Sequence, residues 1–334
     1  MTHVPEQQTL THSPVMRFAI VGAGAIGCAL AARLARAGQD VTLVVRDAAR
    51  AAGIAGSGLA CEEPSASFTA WPRVVSAVPD EAFDVLVMAV KADDLPAAAA
   101  TLPAAIGPRT LVMPLVNGIP WWLAQAGGGA TVRAVDPDGI LQRCFVPGQI
   151  AGSVVYTTAM MSGPSSVRVT SGQRLVIGAV EAGSTAAIAA LGEVLRGCGV
   201  DVEVTGSIVD AVWNKVALNL ATNPLSVVTG APLGQLCSDE RLVPIVSNIL
   251  DEAWRVAARY NARPGMTREE MLGRGLAAGD FRTSMLEDYR KGRPLELSSI
   301  ADAVFELAER IGMDLPVSRA VVDMVRFHAL KRAA

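Results

Sequence analysis

The sequence predicts an α/β protein built in two parts, a parallel-sheet domain followed by an all-α domain, and three observations predict it. A glycine-rich turn separates a short apolar run from an alanine-rich helical stretch near the start of the chain. Further short apolar runs, several ending in a polar residue, recur up to about residue 206. Beyond that point β-branched runs become scarce and the pattern is helical to the end.

Length and composition agree with this division. At 334 residues, two domains are the natural expectation, and 51% hydrophobic residues supply enough apolar surface for substantial cores. The expected layout is a loose extension over 1–15, a sheet domain over 16–206 and a helical domain over 207–334. A net charge of −3 argues against a nucleic-acid or anionic-membrane footprint. No uninterrupted apolar run reaches the length of about 18 residues that a membrane span needs. The first fifteen residues are polar, contain Glu6 and lack the basic start and apolar centre of a secretory signal. Five scattered cysteines, an odd count with no CxxC spacing, suit reduced thiols in a cytoplasm. Of three histidines, His3 and His12 lie in the extension and His328 near the end. Histidine-based zinc sites and Ser-His-Asp hydrolysis are therefore disfavoured, and no metal is expected. A proton donor in this chain would be a lysine, a carboxylic acid or a tyrosine.

The first element, Arg17 to Val21, reads as a buried strand. Gly22-Ala23-Gly24-Ala25-Ile26-Gly27 then fits GxGxxG, a helix runs to about Ala37 with Gly38 as its stop, and Asp40 to Val45 is a second strand. This is the start of a Rossmann-type dinucleotide-binding domain. Gly22 permits the tight turn, Gly24 lets the backbone approach a pyrophosphate, and Gly27 lets helix and strand pack closely. The helix N-terminus faces the negative charge. Arg46 stands nineteen residues after Gly27, where NAD-binding proteins usually carry an acid. Its guanidinium suits a 2′-phosphate and favours NADP(H). Asp47 beside it would repel that phosphate or reach a ribose hydroxyl, and a plain surface arginine is the alternative.

A third strand, Val85 to Val90, delivers Lys91 to the crevice at the carboxyl ends of the strands. A fourth begins at Thr110 and ends before Asn117-Gly118, where Asn117 either bonds a ligand or forms an ordinary Asn-Gly turn. Trp121 and Trp122 read as core or interface residues, or as a narrowing of the cleft entrance. Runs near 150–159, 165–170, 174–178 and 200–204 suggest an antiparallel addition that completes the sheet.

The helical part opens with "WNKVALNLATNP". Lys215, Asn219 and Asn223 fall at i, i+4 and i+8, one polar ridge roughly 12 Å long on an otherwise apolar helix. Asparagine is a poor helix-interior residue, and a lysine removed from water needs a partner or a task. Pro224 is expected to kink or end this helix just after Asn223. Further breaks are expected near Pro264, Gly279, Pro294 and Pro316.

Taken in order, "GAGAIG", "VKADD", "VNGIP", "WNKVALNLATNPLS" and "TSMLEDYRKGRPLEL" resemble the ketopantoate reductase family, NADPH-dependent 2-dehydropantoate 2-reductases, from about Met16 to the C-terminal helix. The resemblance implies roles at the matched positions. Lys215 would protonate the carbonyl oxygen, with Glu296 near the nicotinamide ribose and the substrate hydroxyl. Asn219, Asn223 and Ser284 would bind a 2-keto acid, Ser284 through its carboxylate. Asn117 would touch both cofactor and substrate, and Lys91 would support the cofactor. The chemistry agrees, because hydride transfer to a ketone makes an alkoxide that needs a proton beside it, and burial brings a lysine toward working pH.

Two departures bear on the substrate. Where the family often shows E-I-D with a glycine farther on, this chain reads Glu296-Leu297-Ser298 with Asp302, and a substrate asparagine of some members is matched by Leu233. The expected activity is reduction of a 2-keto acid, by default ketopantoate. A reductase of another small ketone, keto acid or lactone and a non-catalytic NADP(H)-binding sensor are the alternatives. No tyrosine begins a YxxxK, which disfavours a short-chain dehydrogenase. The sequence leaves a homodimer open.

Overall fold

The computed structural model describes residues 14–125, 129–263 and 265–333. His3, His12, most of the expected extension and the break expected at Pro264 lie outside the described residues. The first strands are β1 (Arg17–Val21), β2 (Asp40–Val44), β3 (Leu59–Glu63), β4 (Ala66–Ala70), β5 (Arg73–Val75), β6 (Val85–Met88) and β7 (Leu111–Pro114). They are followed by β8 (Ala151–Val155), β9 (Ala159–Gly163), β10 (Ser166–Val169), β11 (Arg174–Ala179) and β12 (Asp201–Val204).

A five-stranded sheet has the order β5-β2-β1-β6-β7, with every pair parallel. Four of its strands, β1, β2, β6 and β7, are almost wholly buried on both faces, as a sheet covered on two sides requires. The register aligns Val21 with Val44 and Met88, and Met88 with Pro114. Gly22, Arg46, Lys91 and Asn117 therefore emerge along one carboxyl edge, where ligands bind in this architecture. Beyond β7 a single parallel bridge, Val112 to Ile150, and a hydrogen bond from the Ser153 hydroxyl to the Pro114 carbonyl lead to β8. β11 pairs antiparallel with β8 and parallel with β12.

The expected antiparallel addition is thus divided. β8, β11 and β12 form a three-stranded sheet of order β12-β11-β8 that abuts the main sheet at β7, whereas β9 and β10 belong to another sheet of order β4-β3-β10-β9. The exposure of β9 alternates, which marks a strand covered on one face only. The helix Ala25–Arg36 contacts strands of the main sheet and of the β4-β3-β10-β9 sheet, and its small residues, Gly27, Cys28, Ala29, Ala31 and Ala32, are buried. Side chains of that size let two sheets approach one helix.

The rest is helical, gathered around the helix Ile208–Thr229. Ser207 caps its start by accepting from the Asp210 N–H, and Gly230, at φ +71°, ends it. Of the two outcomes expected at Pro224, a kink or an end, the end does not occur: the helix runs through it to Thr229. A proline inside a helix costs about 3 kcal/mol. The burial of Leu225, Ser226 and Val227 in the turn that follows opposes that cost. Gly279, at φ +55°, and Pro316, at the start of the last helix, are breaks as expected. Trp121 and Trp122 are fully buried core residues, the former 5.5 Å from Phe145 between ring centroids. No helix among the described residues is long and apolar enough to cross a membrane.

Candidate active site

The glycine-rich turn has a separate physical reason at each glycine. Gly22 has φ +112°, and a Cβ there would lie 2.6 Å from the Ala89 carbonyl oxygen. A Cβ on Gly27 would lie 2.1 Å from the Gly22 carbonyl oxygen, so those two glycines serve packing. At Gly24 the nearest atom to an added Cβ is 3.9 Å away, leaving that side open. Gly24 is also the N-cap of Ala25–Arg36, with no side chain capping the helix and no acid in its first turn. This positive helix end, with Ala25 and Ile26 in its first turn, fits a pyrophosphate. Arg50, which the sequence reading passed over, braces Ala23: its Nη2 donates to the Ala23 carbonyl (2.7 Å) and its Nε to the Pro164 carbonyl (2.8 Å). Pro164 lies in the β9–β10 turn, a neighbour that no local motif reveals.

At the tip of β2, Asp47 accepts from the Arg50 N–H (2.7 Å) and caps the helix Ala48–Ser57. Its carboxylate is thereby committed to the helix. Arg46 is exposed and makes no side-chain hydrogen bond or ion pair among the described residues.

Lys215 reaches out of the helix Ile208–Thr229 to the end of β8, where its ammonium donates to the Val155 carbonyl. Together with Val212, Val216, Pro114 and Gly118 it lines a narrow cavity against β7 and β8. Burial lowers its pKa to about 8, while the Glu296 carboxylate, acting through space, holds it up. Glu296 itself is raised above the usual carboxylate range by burial, against the pull of Lys91 and hydrogen bonds from Asn117 and the Ala92 N–H. Asn117 Nδ2 donates to Glu296 Oε2 at 3.4 Å. The structure therefore brings Lys215, Glu296, Asn117 and Lys91 together at one end of the sheet.

Lys91 is more committed than the sequence suggested, since its ammonium donates to Asp288 Oδ2 (2.8 Å) and to the Pro294 carbonyl (3.0 Å). Asp288, on the helix Ser284–Arg290, also accepts from Arg293 Nε (2.7 Å). Asn219 is half-buried and Asn223 is buried, on the ridge begun by Lys215, and neither amide has a hydrogen-bonding partner among the described residues. Ser284 is exposed at the start of its helix. Its neighbour Thr283 is buried, caps that helix and shares a hydrogen bond with Ser226 (2.6 Å), fixing the segment to the long helix.

The residues after Glu296 form a π-helical turn, Ser298–Asp302, a rare geometry that often marks functional sites. It packs tightly against the Asn117-Gly118 turn. Ile119 N–H donates to the Ser299 carbonyl (2.8 Å), and a Cβ on Gly118 would lie 2.3 Å from the same oxygen. The departures from the family pattern have other partners. Ser298 donates to Asp93, Asp302 pairs with Arg326 of the last helix, and Leu233 N–H donates to the Phe281 carbonyl (2.8 Å).

Comparison with known proteins places this geometry in a family. Residues 18–182 match the family described as ketopantoate reductase PanE/ApbA, and residues 207–329 match its C-terminal counterpart. A 2-dehydropantoate 2-reductase of Mesorhizobium japonicum is 30% identical over 322 residues, covering 95% of this chain and 99% of that protein. A crystal structure from Ralstonia solanacearum MolK2, assigned to the ketopantoate reductases, superposes with a TM-score of 0.88 at 30% identity, covering 96% and 99% of the two chains. A D-mandelate dehydrogenase with NADH and anilino(oxo)acetate shares the fold at 21% identity and a TM-score of 0.82, over 95% and 99% of the chains. The chain belongs to the ketopantoate reductase PanE/ApbA family and carries both the N-terminal and the C-terminal parts of it.

Proposed function

We propose that this oxidoreductase reduces a 2-keto acid to the 2-hydroxy acid with NADPH, ketopantoate being the default substrate. The observation that carries the reading is Lys215, a part-buried ammonium within electrostatic reach of Glu296 at the edge where the dinucleotide turn and the strand tips converge. When bound, the nicotinamide cofactor supplies the hydride. Gly24 and the first-turn amides of Ala25–Arg36 would hold its pyrophosphate, Arg46 its 2′-phosphate, and Asn117 its ribose.

Lys215 then gives its proton to the carbonyl oxygen as that oxygen gains charge, the task of a positioned general acid. A pKa near 8 suits it, since the ammonium is mostly protonated at neutral pH yet gives up its proton more readily than an ordinary lysine. Glu296 keeps the ammonium charged and Asn117 orients the carboxylate. Asn219 and Asn223 offer neutral hydrogen bonds to the substrate without adding charge, and Ser284 meets its carboxylate.

A second reading, the same reaction on another small keto acid or ketone, is favoured by Ser298, whose hydroxyl is bonded to Asp93, and by Leu233, whose apolar side chain packs against the core where a polar contact would be expected. The fold also serves a D-mandelate dehydrogenase. Loss of NADPH absorbance with ketopantoate, other 2-keto acids and lactones tests both readings. Efficient turnover of ketopantoate is expected. Turnover of another compound alone moves the assignment to that compound, and NADPH binding without any turnover overturns the reductase reading.

A further inference from the structure

Tyr156 directly follows β8, and its ring lies against the group on which the proposed reaction depends. The Lys215 ammonium is 5.7 Å from the centroid of the Tyr156 ring, and its one hydrogen-bond partner among the described residues is the neighbouring Val155 carbonyl. An ammonium partly withdrawn from water with a single neutral acceptor is poorly compensated, and the negative face of an aromatic ring supplies attraction at little desolvation cost. The Arg174 guanidinium also approaches this ring, at 5.4 Å from its centroid. Its charge is already met by Glu203 at 3.2 Å and Asp201 at 3.7 Å on the outer, exposed side. The charged groups that face the pair are Glu296 toward Lys215, and Arg174, Arg274 and Glu203 toward Tyr156.

We infer that Tyr156 is a positioning residue for Lys215, its ring holding the ammonium beside the end of β8 and favouring the charged, proton-giving form. The inference rests on the reductase reading of Lys215 and deepens it. A ring suits the task better than a second carboxylate would. It attracts the cation without offering an acceptor that competes with the substrate oxygen for the proton. The hydroxyl has no part in this, so phenylalanine should replace tyrosine and an aliphatic residue should not.

Tyr156→Phe and Tyr156→Leu test this through two readouts. The first needs neither substrate nor cofactor: the pH dependence of Lys215 acetylation by acetic anhydride, followed by mass spectrometry of its peptide. Tyr156→Leu should lower the midpoint by about 0.4–1.5 pH units, the range of a cation–π attraction, and Tyr156→Phe should leave it in place. The second is the pH profile of NADPH-dependent turnover, whose basic limb should move by the same amount. Should Tyr156→Leu fold poorly, Tyr156→Met carries the same expectation. An unmoved labelling midpoint in a folded aliphatic variant, or an equal shift in Tyr156→Phe, overturns the role of the ring. A labelling shift without turnover of any 2-keto acid by the wild type supports the hold of the ring on Lys215 and overturns the reductase reading instead.

Discussion

Lys91, at the tip of β6, and Asp288, on the helix Ser284–Arg290, form an ion pair with N···O 2.8 Å, and the carboxylate is nearly closed off from water. The second oxygen of Asp288 is taken by Arg293. This one side chain therefore joins the sheet edge to the segment that delivers Glu296. Its two donors, Lys91 at 38% and Arg293 at 52% exposed, keep part of their hydration when the acceptor is removed, and hydrogen bonds to charged groups are worth about 1.5–3 kcal/mol each. Asp288→Ala is expected to cost about 2 kcal/mol in urea unfolding, and Asp288→Asn less. An unchanged urea midpoint in Asp288→Ala would remove the pair as a structural tie.

Lys215 should be costly to the fold and necessary to the reaction. Its folded pKa of about 8 lies below the ordinary lysine value of 10.5, so the unfolded chain binds the proton more tightly. The penalty is present in full below about pH 8 and fades as the pH rises toward 10.5. Lys215→Met is expected to raise stability at pH 7 by about 1–3 kcal/mol, with the gain vanishing at high pH. The same variant should lose about 10² or more in kcat, as expected for a missing general acid. Near-normal turnover in a folded Lys215→Met would end the mechanism.

The reduction rate should fall as the pH rises through about 8, because Lys215 then gives up the proton it is to donate. Glu296 favours the charged lysine, so in Glu296→Gln the descending limb should move to lower pH. The pH profile of kcat/KM in the two proteins decides the matter. A limb that stays in place would mean that the carboxylate does not act on Lys215.

Arg46 and Arg50 should separate two aspects of cofactor binding. Arg46→Ala is expected to weaken NADPH by roughly 10–100-fold and NADH little, the worth of a charge-assisted contact to phosphate. Arg50→Ala frees the Ala23 carbonyl and loosens the turn proposed to hold the pyrophosphate common to both cofactors, and should weaken both alike. Dissociation constants from nucleotide fluorescence give the comparison, and equal loss of both cofactors in Arg46→Ala would refute its pairing with the 2′-phosphate.

What the sequence made legible is what depends on neighbours in the chain. The strand, turn and helix from Arg17 to Arg36 stand where local pattern put them, since glycine spacing and apolar periodicity are short-range signals. The ridge of Lys215, Asn219 and Asn223 followed from helical pitch alone. The unforeseen features join distant segments. Arg50 meets Pro164, Lys91 meets Asp288, and Ser298 meets Asp93, partners 114, 197 and 205 residues apart. The β4-β3-β10-β9 sheet was missed because the β9–β10 hairpin joins it through β10 pairing with β3, far earlier in the chain, rather than with β8 or β11 on either side of it. The helix does not end at Pro224 because a backbone preference of a few kcal/mol is set against the tertiary burial of the turn that follows it.

The unbroken course of the long helix past Pro224 makes it a gauge of molecular length. Had the chain turned aside at Asn223, that amide would be free to follow a ligand. Instead it rides on the same helix as Lys215, where successive polar marks stand about 6 Å apart. A substrate whose carbonyl meets the lysine can use the amides only if its far polar groups fall at those graduations. Selection among keto acids would then be a matter of reach, and altering it calls for moving a mark by one helical turn rather than for widening a cavity.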